Sequence, residues 1–151
     1  MGRYHRRMNR HVLLLAACLL PLTACAREAC TPQVKDGWVQ LMPGGMPMQA
    51  GFGRIDNPCP MPVTIVSASS PAYGSVELHE SKVIGGVNRM REVPELRIAP
   101  DGAAVLQPGG LHLMLMQPKA TLTPGSRVAV VFKLKDGGEL LGEFEARKPA
   151  P

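Results

Sequence analysis

Apolar positions along most of this chain come in short runs, several with a period of two. Leu111, Leu113 and Leu115 alternate with His112, Met114 and Met116. That period places alternate side chains on opposite faces of a β-strand, so the leucines belong against a core and the other three face away from it. Comparable runs occupy residues 50–56, 63–68, 75–83, 87–93, 96–99, 103–107, 111–116, 127–134 and 139–146, with residues 38–41 a short first strand. Turn-forming residues divide them: Asn57-Pro58, Ser70-Pro71, Gly85-Gly86, Pro100-Asp101-Gly102, Pro108-Gly109-Gly110, Thr123-Pro124-Gly125 and Asp136-Gly137-Gly138. Many short strands without a long helical period predict an all-β fold, a sandwich or barrel. Residues 42–48, Met42-Pro43-Gly44-Gly45-Met46-Pro47-Met48, are too rich in Pro and Gly for regular structure and read as a loop.

The N-terminus has a different pattern. Arg3, Arg6, Arg7 and Arg10 precede an apolar run at 12–22, too short to span a membrane and suited to the h-region of a secretory signal. Leu22-Thr23-Ala24-Cys25 then resembles a bacterial lipobox, in which the cysteine is lipidated and becomes the first mature residue. Ordinary cleavage after Ala24-Cys25-Ala26 is the alternative. The Arg6-Arg7 pair lacks the apolar follow-on of a twin-arginine signal. The expected organisation is a lipoprotein signal peptide at 1–24, a tether at 25–37 and one domain at 38–148. The protein is expected to be exported, periplasmic, held to the membrane through lipid on Cys25, and monomeric.

Removing the leader changes the charge. Four of the 17 basic residues lie in it, leaving 13 against 12 acidic ones, so the net charge of +5 falls to +1. The basicity belongs to targeting, and nucleic acid is not an expected partner. Cysteines reduce similarly: Cys18 leaves with the leader and Cys25 takes lipid. Cys30 and Cys59 remain, an even count in an oxidising compartment, which favours a disulfide over a redox or metal-binding thiol pair.

The candidate chemistry lies on the strands. Beyond residue 25 the histidines are His79 and His112. If Gly85-Gly86 is a two-residue hairpin turn, paired positions sum to 171. His79 then faces Glu92, Met90 faces Ser81, and His79 and Met90 are diagonal neighbours on one face. A one-residue slip would separate them. Adding His112 and Met114 gives two imidazoles and two thioethers, neutral soft ligands that favour Cu(I) over Zn(II) or Cu(II). Met116, Met46 and Met48 are candidates for an accessory copper surface, with covering of a core edge as the competing reading. No Ser-His-Asp set, paired-carboxylate cleft or phosphate loop is evident, so the chain is not expected to be an enzyme.

The spacing His79, ten residues, Met90, twenty-one residues, His112, one residue, Met114 resembles that of the PCuAC-type periplasmic copper chaperones. The text around it is similar too: Val76-Glu77-Leu78-His79-Glu80, Gly86-Val87-Asn88-Arg89-Met90-Arg91 and Pro108-Gly109-Gly110-Leu111-His112-Leu113-Met114-Leu115-Met116. This resemblance, over residues 48–147, implies a cupredoxin-like Greek-key β-sandwich binding one Cu(I) through His79, Met90, His112 and Met114. It also implies delivery to the CuA centre of cytochrome c oxidase subunit II or to a thiol-bearing assembly factor. Glu80 stands where many members have Met, and the ending Arg147-Lys148-Pro149-Ala150-Pro151 lacks their His- or Met-rich tail. An electron-transfer cupredoxin would need a Cys thiolate ligand. A structural lipoprotein with incidental His and Met is the remaining alternative.

Overall fold

The computed structural model describes Gly2 and residues 30–149. The expected signal peptide and the lipid site at Cys25 lie outside the described residues. The strands, in chain order, are β1 Gln33–Gln40, β2 Met48–Asn57, β3 Val63–Ser69, β4 Tyr73–Ile84, β5 Val87–Glu92, β6 Leu96–Ile98, β7 Gly102–Leu106, β8 Leu111–Pro118, β9 Arg127–Leu134 and β10 Glu139–Arg147. Each run expected as a strand is one.

Two boundaries differ from expectation. The first strand begins at Gln33, inside the expected tether of 25–37. It pairs antiparallel with β2 (Gln33 opposite Asp56) and parallel with β10 (Gly37 opposite Phe144), so long-range pairing overrides its polar composition. Its alternation is interrupted by a register shift between Lys35 and Trp38, where Asp36 takes φ +52°. The expected loop at 42–48 contains a 3-10 turn at Pro43–Gly45 and ends sooner, because Met48 already belongs to β2.

The strand order is β5-β4-β8-β7-β2-β1-β10-β9-β3-β6, with further pairings β4–β3 and β8–β2. The β3–β4 bridge brings the two halves of that order together, giving a sandwich closed like a barrel. The interior is built by alternation: Val128, Val130, Phe132 and Leu134 from β9, Leu140, Phe144 and Ala146 from β10, Leu113 and Leu115 from β8, Val76 and Leu78 from β4, and Ile55 from β2. Removing these side chains from water stabilises the fold by roughly 1.5–3 kcal/mol for each large one.

Two devices hold the end of β2. Asn57 is fully buried. Its amide donates to the carbonyls of Met61 at 2.9 Å and Ala99 at 3.0 Å, and more distantly to Ile98, while its oxygen accepts from the Cys59 amide. A disulfide joins Cys59 to Cys30, with the Cα atoms 5.5 Å apart, and so fastens the chain just before β1 to the turn after β2.

Candidate metal centre

Gly85 and Gly86 both adopt positive φ, +59° and +78°, the conformation a two-residue turn of this type demands and that glycine supplies without a Cβ clash. The register follows: His79 lies opposite Glu92 and Ser81 opposite Met90. On its other side β4 pairs with β8, placing His79 directly opposite His112 and Glu77 opposite Met114. Paired residues in an antiparallel sheet share a face. His79, Met90, His112 and Met114 therefore stand on one face of three adjacent strands, β5, β4 and β8.

Distances give this arrangement chemical content. The imidazole centroids of His79 and His112 are 6.2 Å apart. Nδ1 of His112 lies 2.8 Å from the Gly110 carbonyl oxygen, which only accepts, so Nδ1 carries the hydrogen and donates it. In the neutral ring Nε2 then keeps its lone pair, and it lies 3.2 Å from the Met90 sulfur, itself without hydrogen. Two lone-pair donors face one another. Metal–N and metal–S bonds of about 2.0 and 2.3 Å at a tetrahedral angle would hold N and S about 3.5 Å apart, close to the spacing seen.

His79 carries its own orienting group. Its Nε2 lies 3.0 Å from the Glu77 carboxylate and donates to it. Nδ1 of His79 is buried and has no hydrogen-bond partner among the described residues. A carboxylate on one ring nitrogen fixes the tautomer and raises the donor strength of the other, a common arrangement at metal-bound histidines. Phe52 on the adjacent strand β2 is buried, its ring 6.4 Å from that of His112 and 4.7 Å from that of Trp38.

Access is graded. His112 is 6% exposed, Met114 half-buried and Met90 53% exposed. On the opposite face of the hairpin, Glu80 pairs with Arg91 at 2.8 Å and Lys82 at 3.1 Å. Arg91 first, then Lys82, hold its carboxyl below its ordinary value. No three His, Cys, Asp or Glu side chains converge among the described residues; the further soft donors beside the two imidazoles on this face are the thioethers. Cys30 and Cys59 are bonded to each other and offer no thiolate.

Met48 lies opposite Met116, and Ala50 opposite Met114, across β2 and β8. Met46 precedes β2, exposed, and lines a separate surface hollow with Met42, Gln49 and Pro118. Glu77 and Phe52 were not read from the sequence as site neighbours. Glu77 was accessible to the same period of two, since it stands two residues before His79; Phe52 was not, because only the β2–β8 pairing brings it there.

A profile of the family described as "Putative lipoprotein LpqE-like" matches residues 33–145. The "Putative lipoprotein Lxx21020" of Leifsonia xyli subsp. xyli is 36% identical over 135 residues, covering 82% of this chain and 80% of that protein. Among solved structures, CuI-DR1885 from Deinococcus radiodurans superposes with a TM-score of 0.63 at 28% identity, covering 82% of this chain and 83% of that one. The copper-bound PCuAC domain from PmoF2 gives 0.65 at 16% identity, covering 80% and 97%, and at that identity speaks for the fold. A family profile that matches most of the length, a bacterial relative at 36% identity and the structural superpositions agree: the chain belongs to the LpqE-like family, with the cupredoxin-like β-sandwich of PCuAC domains.

Proposed function

We propose that this chain is a Cu(I) carrier, not an enzyme. It holds one ion through His79, Met90, His112 and Met114 and passes it to a copper-accepting protein. The observation that carries the reading is the pair of facing donors, His112 Nε2 and Met90 Sδ at 3.2 Å, with the unpartnered Nδ1 of His79 on the neighbouring strand. The copper in the DR1885 and PmoF2 structures supports the choice of metal.

The cargo fits the donors. Thioethers and neutral imidazoles are soft and uncharged, so they favour the monovalent ion. Methionine has no proton to lose and cannot be captured as a disulfide, which suits a carrier in an oxidising compartment. Four protein ligands leave no position for an activated water. The chain's own groups do three things: Gly110 and Glu77 orient the imidazoles, the buried Phe52 ring shields His112 on the β2 side, and Met90 stays accessible. A recipient can replace one neutral ligand at a time without a charge being stranded in the site. By resemblance the recipient is the CuA centre of cytochrome c oxidase subunit II or a thiol-bearing assembly factor. Lipid on Cys25 would hold the carrier at the membrane outside the cytoplasm.

Anaerobic titration with Cu(I) against a chromogenic chelator, joined to X-ray absorption of the loaded protein, tests this. One equivalent with two sulfur and two nitrogen neighbours is expected. Unchanged affinity in both His112→Ala and Met114→Ala would remove the site.

A further inference from the structure

The face that carries the four ligands continues beyond them. On β8, Met116 follows Met114 on the same side, and Met48 of β2 lies directly opposite Met116. From the rim inward the face reads Met48 and Met116, then Met114, then His112 beside His79, then Met90 on β5. Two of the neighbours on this face are small, Ala50 opposite Met114 on β2 and Ser75 opposite Met116 on β4, while Glu77, opposite Met114 on β4, has its carboxylate on His79. Met48 is 38% exposed and Met116 half-buried. Neither methionine belongs to the buried core.

The spacings suit an ion passed from hand to hand. Directly opposed residues of an antiparallel pair have Cβ atoms about 4.5–5.5 Å apart, and residues two apart on one strand about 7 Å. Two thioethers sharing one ion at about 2.3 Å each sit about 4.6 Å apart at most. Flexible, unbranched methionine arms cover such gaps without backbone movement. We propose that Met48 and Met116 form a second, weaker Cu(I) site, an outer station that takes the ion from its donor and delivers it to Met114. This rests on the four-ligand reading above and deepens it by giving the ion a route. Two thioethers bind more weakly than two thioethers with two imidazoles, so the gradient runs inward.

The experiment uses the full chain in detergent, labelled with ¹³C at the methionine methyls and titrated anaerobically with Cu(I) supplied as its acetonitrile complex. The methyls of Met90 and Met114 should shift with the first equivalent, those of Met48 and Met116 with a second equivalent at least tenfold weaker. In a Met48→Leu/Met116→Leu double variant, which keeps side-chain volume, the second step should vanish. Loading of the first site from a chelator should slow at least fivefold, while the Met90 and Met114 methyls still move. Met48 and Met116 methyls unmoved at two equivalents, or an unchanged loading rate in the double variant, would overturn the outer station alone. Met90 and Met114 methyls unmoved at one equivalent would instead overturn the four-ligand site, whatever the outer pair does.

Discussion

Replacing Met90 by leucine separates ligation from folding more cleanly than any other change in the site. Met90 is 53% exposed on β5, which pairs with β4 alone among the described strands. Leucine has nearly the same volume, and a substitution at so exposed a position changes stability by about 0.5 kcal/mol or less. What is lost is the sulfur 3.2 Å from His112 Nε2. Disturbing a group that merely orients a metal ligand costs about 10–100-fold in affinity, so removing a ligand should cost at least about 100-fold, or roughly 2.7 kcal/mol. Thermal unfolding reads this directly. At a free Cu(I) concentration of about 100 times the wild-type Kd, the ion stabilises the wild type by about 2.7 kcal/mol. The same concentration only equals the variant's Kd and gives it about 0.4 kcal/mol. The two metal-free proteins should melt within a degree or two of one another, and the metal-loaded wild type should melt several degrees higher than the loaded variant. Equal metal-induced shifts would refute Met90 as a ligand. A metal-free variant that melts far below the wild type would make Met90 a structural residue instead.

Three further outcomes are expected. Asn57→Ala removes a buried amide with three carbonyl acceptors and should cost about 2–4 kcal/mol, a fall in Tm on the order of 10 °C, with the Cu(I) stoichiometry kept; a Tm within two degrees of wild type would discount the clasp. Reducing the Cys30–Cys59 bond, with a sequence separation of 29, should lower unfolding free energy in urea by about 3–4 kcal/mol in the chain-entropy model; an unchanged midpoint would refute that. Glu80, held below its ordinary value of 4.5 by Arg91 and Lys82, contributes stability where it is ionised. That contribution is complete above about pH 4.5 and lost as the pH falls through the lower folded value. The melting temperature of Glu80→Gln should therefore drop less steeply than wild type below pH 4.5, and parallel curves would refute the assignment.

The strands were legible wherever apolar alternation and turn residues agreed, as from β2 through β10. The hairpin register was legible because two glycines leave little freedom in the turn, and His79 and Met90 follow from it by counting. The start of β1 was not, because Asp36 breaks the alternation and the stretch Gln33–Gln40 is mostly polar; its pairing with β2 and β10 decides it. The opposition of His79 and His112 was likewise beyond local pattern. It depends on β4 and β8 meeting, and only the resemblance in spacing pointed there. Glu77 was overlooked although the arithmetic that found Met90 would have reached it.

The strands that carry the four proposed ligands are not equally anchored. His79, His112 and Met114 sit on β4 and β8, each flanked on both sides, whereas Met90 rides on the outermost ribbon of the sheet, hydrogen-bonded along one flank. Peripheral ribbons open at low free-energy cost while the interior stays closed. Amide protons of β5 should thus exchange well before those of β8. In the proposed Cu(I) site this would make the grip a hinged clasp, with three fixed prongs and one that lifts, so that unloading would proceed by lifting that prong and leaving the rest of the sandwich untouched.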